Sequence, residues 1–447
     1  MGRILKKSFA IILSLAMIFS LAACGSKPNE TGSEPAPAEN AAKEEKNEPI
    51  VIKYPTFQVG VNPSAPLLQQ NIEEFHKLYG DEIRVEIEEI PGDQAYVDKM
   101  KVLLSADELP DLIYAGGYNL LDAALEKGVA VDLTPYLEED SDWKAMFTQR
   151  DLDFNSRDGK IYSVPEERQM IGYFYNKELF AKAGVEAPPK TWDEFFEVCD
   201  KLKAAGITPL SMDTADTGWL TSLWMNSIIG TNGDAGNKFM NTVYVEDYSS
   251  PEFLDATAKI QKMFLNYTTS DAVGGKYENG ANNFLSGKTA MIANGPWMIE
   301  DFKDTTKAPE GFIDKVGVAA YPGSGIFDAP MLGYFVASKD KEHADATVKF
   351  LKFLTSKETQ LRGLDMLGRI PTSEEIQIGD DIKGKHRLLV ELVEAANGTK
   401  YKYNYYQSLW YPNVLDKLST DYPALALDKM TPEEFAKRLT ETALKNK

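Results

Sequence analysis

The sequence is poor in cysteine, histidine and basic residues, and each shortage excludes a class of function. Only two of the 447 residues are cysteine and three are histidine, and neither CxxC nor HExxH spacing occurs. A disulfide framework, a thiol redox centre and a His-based zinc site are therefore not expected. The 48 basic residues face 68 acidic ones, which gives a net charge of −20. Such a chain lacks the basic stripes with which proteins bind nucleic acids.

The apolar content, in contrast, is that of a folded protein. Hydrophobic residues make up 43% of the chain and aromatic residues 11%, which excludes a largely disordered protein. A chain of 447 residues is long enough for two or three domain-sized units with extensive cores. The acidity indicates a soluble surface and does not identify a ligand.

The N-terminus has the pattern of a bacterial export signal. Basic residues up to Lys7 precede the apolar stretch Phe9–Ala23, which is short for a membrane span. The sequence Leu21-Ala-Ala-Cys24 resembles the lipobox of bacterial lipoproteins, in which the signal is removed and the cysteine receives a lipid. We therefore expect a signal peptide over residues 1–23 and a lipid on Cys24. The alternative is an ordinary signal peptide followed by an incidental cysteine.

The segment after the signal has the composition of a tether. Residues 24–49 are rich in Ser, Pro, Ala, Asn and Glu and contain almost no large apolar side chain, which predicts a disordered linker. Removal of residues 1–23, which hold three basic residues and no acid, would change the net charge from −20 to −23.

The pattern of apolar residues predicts an α/β fold. Strands alternate with helices in the first part of the chain, with predicted elements at 50–54, 67–79, 83–90, 95–106, 111–114 and 119–127. This order favours a parallel sheet with helices on both faces, which binds ligands beyond the carboxyl ends of its strands. A second α/β unit is predicted to begin near Gly172. It includes a helix at Trp192–Ala205 with a capping box formed by Thr191 and Glu194, and a single helix at Ile382–Glu394.

Two motif-like segments do not meet the requirements of the sites they imitate. Ser286–Thr289 ends like a phosphate-binding loop, but position 282 is Asn instead of Gly and the segment precedes a strand, so a plain turn is predicted. Asp151–Asn155 begins like a calcium loop, but Ser156 and Tyr162 replace the required Gly and Glu. No metal and no cofactor are expected.

Acidic and aromatic residues provide the remaining signals. Glu166 and Glu167 are adjacent, so they cannot by themselves flank a glycosidic bond, although a hydrolase built from distant acids stays open. Several of the 6 Trp and 21 Tyr residues stand in loops bounded by Gly or Pro. Flat rings with polar groups around them are the general recipe for a sugar pocket, whereas core packing is the alternative for each ring.

Several blocks of sequence, in order, carry a family resemblance. They are Val131–Leu137, Gly159–Pro165, Tyr175–Phe180, Pro189–Phe195 and Phe284–Trp297. The sequence resembles the extracellular solute-binding lipoproteins of ABC importers, in the carbohydrate-binding group related to maltose-binding protein. The resemblance covers nearly the whole chain after the tether.

The resemblance implies a two-lobe fold of the periplasmic-binding-protein type, with hinge crossings and a ligand cleft between the lobes. The first lobe would comprise residues 50–165 plus 333–367, and the second residues 174–319 plus 373–447. The crossings are expected near Val164–Tyr173, Ala320–Leu332 and Leu367–Thr372. Closure around the ligand would be a hinge motion.

The resemblance also implies which aromatic residues hold the ligand. Trp297 matches the stacking tryptophan of the family's Asn-Gly-Pro-Trp block, and Trp219 and Trp410 would offer further rings. Tyr114 and Tyr118 fall on the loop after the third strand.

The expected polar contacts follow from the hinge and the neighbouring loops. Gln169 occupies the position of a ligand-binding glutamate in maltose-binding protein, so specificity for maltose is not implied. Glu167 or Arg168 would supply charge instead, and Asp213 would accept a hydroxyl. Tyr334 follows the second crossing and would face the cleft.

The favoured function is that of a sugar receptor that delivers its ligand, expected to be an oligosaccharide, to permease subunits and their ATPase. The protein would be a monomer, anchored by its lipid to the extracellular face of a bacterial cell membrane. Two alternatives stay open. The same receptor could take another solute, such as glycerol phosphate or a peptide, for which Arg168 and Arg369 are candidate phosphate ligands. The chain could also be a surface lipoprotein enzyme such as a glycosidase.

Overall fold

A computed structural model describes residues 48–115, 120–373, 375, 376 and 378–446. The predicted signal peptide, Cys24 and nearly all of the tether lie outside these residues, as does Tyr118. The strands are β1 (Ile50–Thr56), β2 (Ile83–Glu89), β3 (Leu112–Tyr114), β4 (Ser156–Arg157), β5 (Lys160–Ile161), β6 (Ser163–Val164), β7 (Gln169–Asn176), β8 (Thr208–Leu210), β9 (Thr289–Asn294), β10 (Val316–Ala319), β11 (Gly325–Ala329), β12 (Tyr334–Val336) and β13 (Tyr401–Tyr403).

The α-helices follow the strands in an alternating order. They are α1 (Ala65–Tyr79), α2 (Asp93–Ser105), α3 (Leu120–Glu126), α4 (Thr134–Glu139), α5 (Ser141–Lys144), α6 (Gln149–Phe154), α7 (Lys177–Lys182), α8 (Trp192–Ala204), α9 (Trp219–Gly230), α10 (Gly233–Phe239), α11 (Pro251–Asn266), α12 (Tyr277–Leu285), α13 (Phe312–Lys315), α14 (Lys341–Leu354), α15 (Lys357–Leu367), α16 (Asp380–Lys385), α17 (Arg387–Asn397), α18 (Pro412–Ala426) and α19 (Pro432–Ala443).

The first lobe is built from two distant parts of the chain. Strands β1 and β2 pair in parallel, whereas β12 lies between β3 and β6 and is antiparallel to both. The parallel pairing predicted for the first three strands is therefore confirmed for β1 and β2, whereas β3 pairs with β12, a strand that comes much later in the chain. One apolar core unites residues from Ile52 to Val164 with residues from Met331 to Leu354.

The second lobe contains a sheet in the order β13-β11-β7-β9-β8, with β10 pairing with β7. Alternate side chains of β7 point to opposite faces, as the two-residue period of a strand requires. Ile171 and Tyr173 pack in one apolar core, and Met170 and Phe174 pack in another. Helices therefore cover both faces of this sheet, and the α/β prediction holds.

Helix α15 contacts both lobes. Arg362 of this helix donates a hydrogen bond of 2.6 Å to Asn71 on α1, while Leu364 packs in the core of the second lobe. The helix therefore bridges the lobes directly before the third expected crossing.

Two local predictions fail for identifiable reasons. The single helix predicted over 382–394 is divided into α16 and α17 at His386, whose ring lies 2.8 Å from the carbonyl of Asp365. The capping box at α8 is incomplete, because Glu194 accepts from the backbone of Lys190 (2.7 Å) instead of Thr191. Segment 286–288 is a turn between α12 and β9, as predicted. In the described part of the chain, no helix has both the length and the apolar character that a bilayer crossing needs.

Candidate ligand-binding site

A cluster of hydrogen bonds lies where the chain leaves the first lobe. Glu166, two residues after β6, accepts from the hydroxyl of Tyr334 (3.1 Å), from Nε2 of Gln58 (3.1 Å) and from Nη1 of Arg369 (2.9 Å). The hydroxyl of Tyr334 also lies 3.0 Å from that of Tyr54. Glu166 therefore connects the ends of β1, β6 and β12 to the third crossing.

Arg369 is shared by two carboxylates. Its Nε lies 3.5 Å from Glu167 and its Nη2 donates to Ser64 (2.8 Å), in addition to the contact with Glu166. Burial raises the pKa of Glu167 to about 7, with Glu166 adding to the increase and the Arg369 guanidinium opposing it. The raised pKa favours the protonated form of Glu167, in which the carboxyl group can donate as well as accept a hydrogen bond.

Tyr114 and its neighbours form an aromatic surface beside this cluster. The ring of Tyr114 lies 5.0 Å from Tyr334 and 5.9 Å from Phe57. Its backbone N–H donates to the hydroxyl of Tyr96 (3.0 Å), which fixes the end of β3. Burial, together with the charges of the two glutamates and with Tyr405 of the second lobe, raises the pKa of Tyr114.

The second lobe contributes three aromatic rings that contact one another. The ring of Trp219 lies 6.3 Å from that of Trp297 and 5.7 Å from that of Tyr405, the latter edge to face. Trp219 begins α9, and Gly218 before it has a φ of +55°. Gly295 is required beside Trp297, because an added Cβ would lie 2.2 Å from the indole ring.

Asp213 fixes the start of α9. Its Oδ1 accepts from the backbone N–H of Thr221 (3.2 Å), whereas its Oδ2 is buried without a hydrogen-bond partner among the described residues. Burial raises the pKa of Asp213 to about 7. The carboxyl therefore orients the helix that carries Trp219 and retains one oxygen for another partner.

The two lobes approach each other at these surfaces. Tyr405 is close enough to affect the pKa of Tyr114 across the lobes. Asp93 at the start of α2 likewise contributes to the raised pKa of Tyr277, for which burial is the main cause. The hydroxyl of Tyr277 accepts from Asn294 (3.0 Å), at the end of β9. The polar cluster of the first lobe and the rings of the second therefore border the same interlobe region.

The structure brings most of the predicted site residues to this region. Trp297, Trp219, Tyr114, Tyr334, Glu167 and Asp213 all belong to the groups described above. Gln169 begins β7 at the first crossing, and its Oε1 has no hydrogen-bond partner in the ranges described.

Two predicted residues, Trp410 and Arg168, make their contacts within the protein instead. Trp410 is 0% exposed and packs against Phe239 and Tyr248, so its ring offers no surface to a ligand. Arg168 makes two hydrogen bonds of 3.0 Å to buried Asp328, which Lys402 also contacts at 2.6 Å. The charge of Arg168 is therefore matched at the hinge by Asp328, and the expectation that Arg168 supplies charge to a ligand stays a prediction.

Sequence reasoning missed Glu166, Gln58 and Tyr405. Glu166 was part of a visible acidic pair, and Tyr405 belongs to the same aromatic run as Trp410. The partners of these residues come from distant parts of the chain. The sequence therefore shows the acidic pair and the aromatic run, but it does not show which residue of each lies at the interlobe region.

Several known proteins that resemble the chain in sequence are named as binding proteins. Residues 62–361 match the family described as bacterial extracellular solute-binding protein. A putative binding protein of Brucella abortus (strain 2308) is 28% identical over 310 residues, covering 66% of this chain and 69% of the relative. The multiple sugar-binding protein of Streptococcus mutans serotype c is 28% identical over 47% of this chain and 50% of its own length. The sn-glycerol-3-phosphate-binding periplasmic protein of Escherichia coli (strain K12) is 26% identical over 49% and 51%.

Solved structures match over a larger part of the chain. A chitin oligosaccharide binding protein has a TM-score of 0.80 at 22% identity, over 89% of this chain and 99% of its own. A Streptococcus pneumoniae solute-binding protein in complex with the blood group A-trisaccharide has a TM-score of 0.75 at 22% identity, over 89% and 100%. These likenesses confirm the expected two-lobe fold. The chain belongs to the bacterial extracellular solute-binding proteins.

Proposed function

We propose that this protein captures a sugar of the oligosaccharide class between its lobes and delivers it to the permease of an ABC importer. The observation that carries the proposal is the pairing of two kinds of surface at one interlobe region. Trp219 and Trp297 offer partly exposed apolar rings, with Tyr405 packed edge to face against Trp219. Glu166 and Glu167 offer hydrogen-bonding groups. Sugars present C–H faces and hydroxyls that match these two surfaces.

An anionic solute such as glycerol phosphate is less well matched. Recognition of phosphate relies on arginine side chains with free donors. Arg369 is engaged by Glu166, Glu167 and Ser64, and Arg168 is engaged by Asp328. The acids that hold these two arginines would also repel a phosphate group. An uncharged, hydroxyl-rich ligand needs no free arginine and is not repelled by these acids.

A glycosidase is also less well matched. Glu166 and Glu167 bind the same guanidinium, whereas glycoside hydrolysis needs two carboxyl groups on opposite sides of the scissile bond. We infer that the protein binds its sugar without cleaving it and needs no cofactor.

The proposed setting is the extracellular face of a bacterial membrane. The sequence up to Cys24 has the pattern of a lipoprotein signal, so a lipid on Cys24 would hold a monomer near the permease and its ATPase. Residues 24–49 would provide the reach between the membrane and the lobes.

Calorimetry tests the choice of ligand. Residues 25–447 are titrated with a panel of neutral mono- and oligosaccharides, with sn-glycerol 3-phosphate and with short peptides, and the bound sugar is recovered for chromatography. We expect tight binding of one neutral oligosaccharide class and recovery of the intact sugar. Binding of glycerol phosphate alone would favour the alternative cargo, and cleavage of the bound sugar would contradict a pure receptor.

A further inference from the structure

One hydrogen bond joins the lobes through side chains that the candidate ligand site does not use. The hydroxyl of Tyr244, in the loop between α10 and α11, donates to Oδ2 of Asp122 on α3. The other oxygen, Oδ1, accepts from Nε of Arg157 at 2.7 Å. The carboxylate of Asp122 thus accepts one hydrogen bond from a phenol of the second lobe and one from a guanidinium of the first lobe.

The first-lobe side of this contact is held rigidly. The side chain of Asp122 lies on a short helix whose residues Leu121 and Ala124 are buried in the first-lobe core. Nη1 of Arg157 donates to the carbonyls of Phe154 (3.0 Å) and Ser156 (2.9 Å). The guanidinium is therefore anchored to the backbone and positions the carboxylate.

The second-lobe side is held in an unusual backbone conformation. Tyr244 has a φ of +55°, a backbone angle that residues other than glycine rarely adopt. Its N–H donates to the carbonyl of Leu409 (2.6 Å), and its ring stacks on Tyr411 at 4.6 Å and 19°. Such conformations persist where surrounding contacts over-determine them. These contacts direct the hydroxyl out of the second lobe, and burial together with Asp122 raises the pKa of Tyr244, so the hydroxyl remains a donor at neutral pH.

We propose that Tyr244, Asp122 and Arg157 form an interlobe latch that stabilises the lobe arrangement seen here and thereby sets how often the ligand-free protein adopts it. When the lobes move apart, the hydrogen bond between the Tyr244 hydroxyl and the Asp122 carboxylate breaks, and both groups become exposed to water. A contact present in only one of two states shifts the population toward that state. The latch would thus tune the apparent affinity without touching the ligand, whichever solute the cleft binds.

Spin-label distance measurements on ligand-free protein test the latch. Cysteines replace Val102 on α2 and Leu265 on α11, which are 67% and 53% exposed and lie in different lobes. The remainder of the full-length chain carries Cys24→Ala and Cys199→Ala, so that only the two introduced sites are labelled. The informative variant is Tyr244→Phe, which keeps the ring stack and removes the hydroxyl. Tyr411→Phe removes a hydroxyl from the other ring of the same stack and is the matched control.

We expect Tyr244→Phe to raise the ratio of long to short inter-label distances about three- to tenfold, the effect of one lost hydrogen bond, while Tyr411→Phe leaves it unchanged. Asp122→Ala should give a similar shift, and the double variant should shift no further than Asp122→Ala alone. An unchanged distribution in Tyr244→Phe, an equal shift in Tyr411→Phe, or additive shifts in the double variant would overturn the proposal. Because no ligand is added, the result does not depend on the sugar-binding proposal.

Discussion

Glu166 and Arg369 show how single residues join distant segments of this chain. One carboxylate connects side chains of β1, β12 and the third crossing, and one guanidinium serves two carboxylates. Side chains of this pair are only 11% and 15% exposed, so solvent screens their attraction weakly. Removing one partner leaves the other charge buried and unpaired.

Arg369→Met is therefore expected to lower the free energy of unfolding by about 3–5 kcal/mol at pH 8. The loss should shrink as the pH falls to 5. Burial raises the pKa of Glu167, and the guanidinium that opposes this increase is missing in the variant. Protonation of Glu167 at lower pH therefore relieves the unpaired charge in the folded variant. Urea denaturation at both pH values measures this. Lys341→Met removes an ion pair whose lysine is 82% exposed and should cost less than about 1 kcal/mol.

Trp297 is the residue on which the proposed ligand contact depends most. Trp297→Ala should weaken binding of the identified sugar by about 1–3 kcal/mol, the range measured for rings stacked on nucleic-acid bases. Trp297→Phe keeps an aromatic face and should retain most of the affinity. Calorimetry of both variants provides the measurement. Equal affinity of the alanine variant and the parent would show that the ring does not contact the sugar.

Residue-level prediction from sequence is strongest where a local pattern marks the position. Trp219 and Trp297 stand beside Gly or Pro, and both belong to the ring group at the interlobe region. Trp410 has no such local mark that separates it from Tyr405, and only tertiary packing shows that Trp410 is buried. Tyr334 and Glu166 are 168 positions apart, a pairing that no local periodicity encodes.

The secondary-structure elements that the sequence predicts best are those in which apolar residues repeat regularly along the whole element. β1, α1 and β2 were found at nearly their full length because their apolar residues repeat clearly. The partner of a strand is not encoded in this way. β12 is only three residues long, yet it lies between β3 and β6. Its antiparallel pairing changes the predicted parallel sheet into a mixed arrangement.

Gly333 permits the close approach of two of these elements. An added Cβ would lie 1.8 Å from the carbonyl oxygen of Val164 and 2.4 Å from the nitrogen of Pro165. Gly333→Ala must therefore displace β12 from the end of β6, at a cost of about 1–3 kcal/mol. Thermal unfolding and calorimetry should show losses of both stability and affinity, because Tyr334 and Glu166 move with this contact.

Gly384 in α16 provides the matched control for Gly333. Nothing lies within 4 Å of a Cβ added there, so Gly384→Ala should be neutral or stabilising by up to about 1 kcal/mol. If both glycines tolerate alanine equally, the packing of β12 against the end of β6 does not require a glycine at position 333.

At the scale of the whole molecule, the lobes and the proposed anchor are separable. Cys24→Ala should move the protein from the membrane fraction to the soluble fraction of the producing bacterium without changing its affinity for the sugar. The physical reason is that the acyl chains of the lipid would provide the hydrophobic attachment to the bilayer. Fractionation and immunoblotting provide the measurement.

Cys199 gives the control for this prediction. It is buried in the second-lobe core, so Cys199→Ala should leave the protein with the membrane. Retention of the Cys24→Ala protein in the membrane fraction would mean that another part of the chain anchors it.

The position of β12 has a consequence for how the protein is made. A ribosome produces the N-terminal end first, so β3 and β6 exist long before the strand that joins them. The first lobe also lacks Phe350 and the rest of α14 until most of the second lobe has been synthesised. The first 165 residues therefore cannot complete their own core, which becomes possible only after translation has passed residue 354. The interleaved order thus delays the folding of the first lobe until nearly the whole polypeptide is available.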